Sequence, residues 1–327
     1  MVRPARFAFN PQTAASNAFQ SAPGGAGEAA GGTGRIVDAG GAAPADEGPG
    51  GAAAAGAAAL REFDGLAHAL RGAGVEVLVA EDTASPVKPD AVFPNNWVSF
   101  HHDGTVVLYP MLAPNRRPER RDDLLLKVAR DGAYRITKIV DLSHRENEAQ
   151  YLEGTGSMVL DRFNRIAYAC LSPRTDLDVL GEFAQLLDYD LVTFEAVDGA
   201  AQPVYHTNVL MAVGARFAVI CGEVIPQAAH RAAVFEKLRA TGHDVIEISA
   251  GQMRHFAGNL LELAPAAGNL IALSRGAWRS LDASQRGRLE SHGTVLTVDI
   301  PVIERLGGGG VRCMLAEIHL PKREQRL

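Results

Sequence analysis

The chain has 327 residues, 47% of them hydrophobic, enough for a large core as two domains or as one closed domain. Its 38 acidic and 32 basic residues are interspersed and sum to a formal charge of -6, with no basic run on which nucleic acid or an anionic lipid surface could dock. Cys170, Cys221 and Cys313 fit neither a disulfide framework nor a CxxC zinc pattern, and neither a signal-peptide-like start nor a membrane-length apolar stretch is present, so a cytoplasmic protein without a membrane partner is expected.

From Ser21 to about Gly56 the sequence is rich in Gly and Ala. Such a composition buries too little to offset its ordering entropy, so a mobile surface insertion over about 21–56 is expected. Beyond it, an amphipathic helix-like segment followed by a β-branched, strand-like run recurs five times. The pairs are ALREFDGLAHALRGAG with VEVLVA, PERRDDLLLKVARDGA with YRITKIVDL, DLDVLGEFAQLLD with YDLVTFEA, QAAHRAAVFEKLRATG with HDVIEIS, and AWRSLDASQRGRLESHG with TVLTVDI.

After each of the first four pairs comes a loop and then a hairpin-like stretch, starting at Asn96, Ser157, Asn208 and Asn259. A fifth, from Arg312, has one strand only, and the N-terminal ARFAF (residues 5–9) is its expected partner. The starts are spaced by 61, 51, 51 and 53 residues, a period typical of propellers and arrays. The fold class that follows is α/β, a closed pseudo-symmetric ring of five units forming one domain over 1–327. An ordinary doubly wound sheet would also alternate helices and strands, but it explains neither the hairpins nor the period.

In such a ring the loops before the hairpins face one axis. They carry Asp90 in VKPDAVFPNN, Glu153 in NEAQYLEGTG, His206 in AQPVYHTN, Asn259 in QMRHFAGN and Cys313 in IERLGGGGVRC. A thiol, an imidazole and carboxylates at one point have the logic of covalent catalysis. Cys313 follows Gly307 to Gly310, which would admit a ligand closely, whereas Cys170 and Cys221 read as buried structural thiols. His206 reads equally as a structural residue or a base. Glu153 reads as an orienting acid or a turn residue, and Asp90 as a site carboxylate or a turn cap. His101 and His102, at a DG hairpin tip, are expected to be solvated.

At FPNNWVSF, LEGTGSMVL, YHTNVLM, FAGNLLEL and GGGGVRCMLAEIHLP the sequence resembles the arginine deiminase and amidinotransferase superfamily, and within it is most similar to the citrulline-utilization hydrolases. The resemblance covers nearly the whole chain except the Gly/Ala insertion. It implies a five-bladed α/β propeller of ββαβ units, a catalytic Cys313, His206 and Glu153, and Asp90 as a substrate-holding acid. Relatives usually have Ser where this chain has Gly310.

Arginine deiminases usually place Asp two residues after the histidine, where this chain has Asn208. A carboxamide both donates and accepts, so it can face a neutral ureido group, and Asn95, Asn96 and Asn259 offer further donors. Citrulline, cleaved to ornithine, ammonia and carbon dioxide, is therefore the expected substrate, with neither cofactor nor metal. Arg116, Arg174, Arg254 and Arg312 are candidate partners for its carboxylate, with Arg312 adjoining Cys313. The alternatives are an arginine deiminase-like or dimethylarginine-type hydrolase, an amidinotransferase, and a non-catalytic amino-acid binder. A papain-type protease would place Cys before His, the reverse of the order here.

Overall fold

The structure, a computed structural model, describes residues 1–22 and 49–323. Its strands form five small sheets, four of three strands and one of two. The three-stranded sheets are β3 (Val98–Phe100), β4 (Thr105–Leu108) and β5 (Lys138–Asp141); β6 (Val159–Asp161), β7 (Ile166–Leu171) and β8 (Asp190–Glu195); β9 (Met211–Val213), β10 (Phe217–Ile220) and β11 (Asp244–Glu247); and β12 (Leu261–Leu263), β13 (Leu270–Ser274) and β14 (Thr294–Val298). In each, the first two strands are an antiparallel hairpin and the third adds parallel to the second. A parallel neighbour cannot be reached by a tight turn, which is why a helical crossover precedes every third strand. The crossovers contain Asp122–Asp131, Leu177–Leu187, Ala228–Ala240 and, in the last sheet, both Arg275–Ser280 and Ala283–His292.

The helix Leu177–Leu187 shows how sequence sets these elements. Asp176 caps it by accepting from the backbone N–H of Asp178 and Val179, and Asp188 ends it in the left-handed region at φ 56°. Its apolar residues fall at helical spacing, and Val179, Leu180, Phe183, Ala184 and Leu187 are all buried in one cluster with Ala167 and Ala169 of β7. In the last sheet a single helix was the expectation, and two form. Leu281 is extended, and Asp282 with Gln285 makes a capping box that starts a new helix.

Three other expectations are corrected. The Gly/Ala insertion lies outside the described residues over 23–48, but from Pro49 the chain is already in the helix Pro49–Gly72. Its alanine-rich start has high helix propensity, and buried Ala59, Phe63, Leu66 and Leu70 anchor the same helix to a core cluster. ARFAF is not a strand. The ladder there is β1 (Val2–Arg3) parallel to β2 (Ala80–Glu81), ended by Pro4, which has no N–H to donate. RCMLAEIHLP opens with a 3-10 turn, Val311–Met314, and its only later pairing among the described residues is a parallel bridge from Ile318 to Phe100.

Candidate functional site

Each of the first three hairpins is preceded by a single tight turn: Pro94–Asn96 before β3, Gly154–Ser157 before β6 and Thr207–Leu210 before β9. The first packs on the second and on Val311–Met314, and the second packs on the third. Two glycines make this approach possible. Gly154 sits at φ +49°, where an added Cβ would lie 2.3 Å from the carbonyl oxygen of Asn95. A Cβ on Gly156 would lie 2.4 Å from Asn96 Nδ2 and 2.8 Å from His206 Nδ1. Gly156→Ala is therefore expected to displace the ring or the carboxamide and to lower kcat about 10²-fold, as displacements near 1 Å can. Steady-state kinetics against an unchanged melting temperature checks this.

His206 Nε2 is 2.9 Å from Glu153 Oε2, and both side chains are buried. Glu153 Oε1 accepts from the backbone N–H of Leu112 at 3.1 Å, and Arg174 Nη1 donates to Oε2 at 3.3 Å. Burial alone would raise the Glu153 carboxyl, but Arg174, the His206 hydrogen bond and Arg116 outweigh it and hold the group below the usual carboxylate range. Burial pushes the His206 imidazole down to about 4 against the opposing pull of Glu153, so at neutral pH the ring is uncharged. Burial likewise pushes the Cys313 thiol up, against hydrogen bonds from Asn259 and Asn208.

Cys313, His206, Asp90, Asn96, Arg116 and Arg174 line one cavity with room for about 10 Å³, close to the need of a single water. Residues 10–20 roof it. Asn10 Nδ2 and Thr13 Oγ1 donate to Asp90 Oδ2 at 2.7 and 3.3 Å, and Arg174 Nη2 donates to the Thr13 carbonyl at 3.0 Å. Phe19 meets the Tyr205 ring edge-on at 5.9 Å. Asp90 itself is raised by burial, with Arg116 and Asn10 opposing, and its Oδ1 is buried without a partner. Lys88, buried and bonded to the Thr83 and Pro86 carbonyls, braces the loop that carries it.

Arg116 holds Glu119 through two bonds of 2.9 and 3.0 Å and donates from Nη1 to Asn96 Oδ1 at 2.9 Å. A guanidinium only donates, so it fixes the orientation of the Asn96 carboxamide. Asn96 Nδ2 is left buried and unpartnered beside His206.

The expected residues thus divide. Cys313, His206, Asp90 and Asn96 share the cavity, and Glu153 stands directly behind His206. Asn208 and Asn259 are at the sulfur instead, with Nδ2 atoms 3.5 and 3.2 Å from Cys313 Sγ. Asn95 is buried with both amide atoms unpartnered and does not line the cavity. Arg312 turns away, donating to the Leu315 carbonyl and to Glu317 at 3.0 and 2.9 Å and lining a separate cavity. Of the candidate arginines, Arg116 and Arg174 are the ones that face the site. Asn10, Thr13 and Tyr205 were not anticipated, because nothing in the repeat marks the N-terminal roof. His101 is a further correction. It is buried, bonded through Nε2 to Ser99 Oγ at 2.8 Å, and pushed down to about 3 by burial, whereas His102 is exposed. Among the described residues, no group of three or more His, Cys, Asp or Glu side chains is placed to hold a metal ion. No described helix is long and apolar enough to cross a membrane.

None of the curated proteins matches the chain. Among solved structures it is similar to the N-terminal domain of ArgZ, an arginine dihydrolase from the ornithine-ammonia cycle in cyanobacteria, in a mutant bound to substrate: TM-score 0.67, 15% identity, with 98% of each chain covered. Against apo ArgZ as a whole it gives a TM-score of 0.64 at 17% identity over 81% of this chain, and spans 36% of the ArgZ chain. A dimethylarginine dimethylaminohydrolase adduct with 4-chloro-2-hydroxymethylpyridine gives 0.57 at 17% identity, covering 79% of this chain and 90% of the other. At these identities the likeness bears on the fold. The family itself is carried by sequence, since the model described as N,N dimethylarginine dimethylhydrolase, eukaryotic, matches residues 52–320. The chain therefore belongs to that family, within the arginine deiminase and amidinotransferase superfamily.

Proposed function

We propose that the chain is a single-domain, five-bladed α/β propeller that hydrolyses citrulline to ornithine, ammonia and carbon dioxide, with Cys313 as nucleophile, His206 as acid and base and Glu153 as the group that orients it. Contacts that run from the Pro94–Asn96 turn to Gly154–Ser157, Thr207–Leu210, β9, β12, β13, Val311–Met314 and back to Pro94–Asn96 support the ring. Three free cysteines suit a reducing, cytoplasmic setting.

The observation that carries the substrate choice is the pair of unmatched polar atoms in the cavity wall. Asp90 Oδ1 needs a donor and Asn96 Nδ2 needs an acceptor. A ureido group supplies both, whereas a guanidinium supplies donors only. Arg116 and Arg174 line the same cavity and are the candidate partners of the substrate's α-carboxylate, which would share them with Glu119 and Glu153.

In the resting site the thiol and the imidazole are both neutral. As Sγ bonds to the ureido carbon, the thiol proton passes to His206, and the imidazolium then gives it to the nitrogen that leaves. Asn96 Nδ2 meets the developing oxyanion. Water, deprotonated by His206, attacks the resulting thiocarbamate, the C–S bond breaks, and the sulfur takes back the proton. The carbamic acid released falls apart to amine and carbon dioxide. Whichever nitrogen leaves first, the products sum to ornithine, ammonia and carbon dioxide.

A second reading, hydrolysis of arginine or a methylated arginine, is favoured by the acidic Asp90 in the cavity and by the substrates in the names of the similar proteins. One panel separates them. Purified protein is incubated with citrulline, arginine, agmatine and methylated arginines, while ornithine, citrulline and ammonia are followed, with Cys313→Ala as control. Ornithine from citrulline, lost in the control, is the expected result. Turnover of arginine with citrulline inert supports the second reading. Transfer only upon adding glycine indicates an amidinotransferase, and no turnover with no adduct on Cys313 indicates a binder.

A further inference from the structure

We propose that Asn259 is a catalytic residue that stabilises the thiolate of Cys313 as its proton passes to His206, and that the missing side chain at Gly310 is what lets its carboxamide reach the sulfur. The assignment rests on Cys313 being the nucleophile. Sequence position suggested a donor to substrate, but the geometry points elsewhere.

Asn259 ends a turn pressed hard against the His206 loop. Phe256 is left-handed at φ 59°, and a Cβ on Gly258 would lie 2.6 Å from the Val209 carbonyl. From there Asn259 Nδ2 donates to the Asn208 carbonyl at 2.8 Å and to Cys313 Sγ at 3.2 Å. A backbone carbonyl only accepts, so it fixes which end of the carboxamide is the donor, and the second N–H is aimed at sulfur. Asn208 Nδ2, at 3.5 Å from the same sulfur, reinforces it. A thiolate accepts such bonds more strongly than a thiol, so both donors favour the ionised form.

Of the charged and titratable groups around the sulfur, Arg312 favours the anion, but less than the hydrogen bond from Asn259 does. Asp90, across the cavity, disfavours an anion. The His206 ring is uncharged and Tyr205 donates its hydroxyl to the Gly308 carbonyl. Arg116 and Arg174 are committed to Glu119 and Glu153, and Arg312, on the same turn as Cys313, to Glu317.

Gly310 completes the arrangement. A Cβ there would lie 2.6 Å from Asn259 Oδ1, so any side chain would push the carboxamide off the sulfur. Asn259 Oδ1 is itself buried without a partner, an arrangement that costs free energy and is retained here where Nδ2 meets the reacting atom.

The test is the pH dependence of Cys313 alkylation by iodoacetamide, read by peptide mass spectrometry on the full chain without substrate. Asn259→Leu removes the donor, Asn259→Asp keeps its shape with an acceptor in its place, and Gly310→Ala leaves Asn259 present but displaced. In each, the alkylation midpoint is expected to rise by about one pH unit or more, and kcat to recover partly as pH is raised. Should Asn259→Leu fail to fold, the other two variants decide. Midpoints equal to the parent's in the folded variants overturn the proposal. The nucleophile assignment is tested separately, because it fails only if Cys313→Ala still turns over substrate.

Discussion

Glu153→Gln lowers kcat by about 10³–10⁴-fold, the range seen when the orienting acid of a catalytic triad is replaced by its amide. Glu153 Oε2 accepts from His206 Nε2 at 2.9 Å, which places the ring proton on Nε2 and leaves Nδ1, over Gly156, free to take a proton. Glutamine can offer its own N–H to Nε2. The ring then settles in the other tautomer, with Nδ1 protonated and useless as a base. The effect is on kcat more than on KM, because Glu153 does not line the cavity. Adding His206→Ala to Glu153→Gln costs little more, since the two act as one unit. A loss below tenfold for the single variant, or losses that multiply in the double, would remove Glu153 from the mechanism.

The repeat was legible because it is local chemistry. The hairpin starts Asn96, Ser157, Asn208 and Asn259 precede strands beginning at Val98, Val159, Met211 and Leu261, the loops before the first three bring in Asp90, Glu153 and His206, and Cys313 comes from the fifth loop. What was hidden is where side chains point. Arg312 adjoins Cys313, yet in the 3-10 turn Val311–Met314, with three residues per turn, successive side chains diverge by about 120°, so one faces the cavity and the other faces Glu317. His101 and His102 part for a related reason. Across a hairpin end successive residues take opposite faces, which sends the first inward to Ser99 and the second to solvent. Arg116 and Arg174 reach the site on long side chains from loops without a period, and the roof at Asn10 and Thr13 has no counterpart in the repeat.

Arg174→Met is expected to destabilise the protein by about 3–5 kcal/mol, the cost of leaving one partner of a buried ion pair uncompensated. Arg174 is buried, gives Glu153 a hydrogen bond of 3.3 Å, ties the roof through the Thr13 carbonyl and Ser16 Oγ, and stacks over the Tyr205 ring at 5.1 Å. Methionine fills similar space but leaves the Glu153 charge with only the more distant Arg116, at 3.8 Å, to offset it. The loss depends on pH in a definite sense. The folded-state pKa of Glu153 is depressed, so its stabilisation is complete above the carboxyl's unfolded value and is lost as pH falls through the folded one. Without Arg174 the folded value rises, and acid unfolding of the variant begins at higher pH than in the parent. Chemical denaturation across the acid range measures both effects. Glu153→Gln introduced on top of Arg174→Met should restore part of the stability, because it removes the stranded charge. If instead the second substitution adds its full cost, the two side chains do not form an energetically coupled pair, and the roof contacts alone explain what Arg174 does.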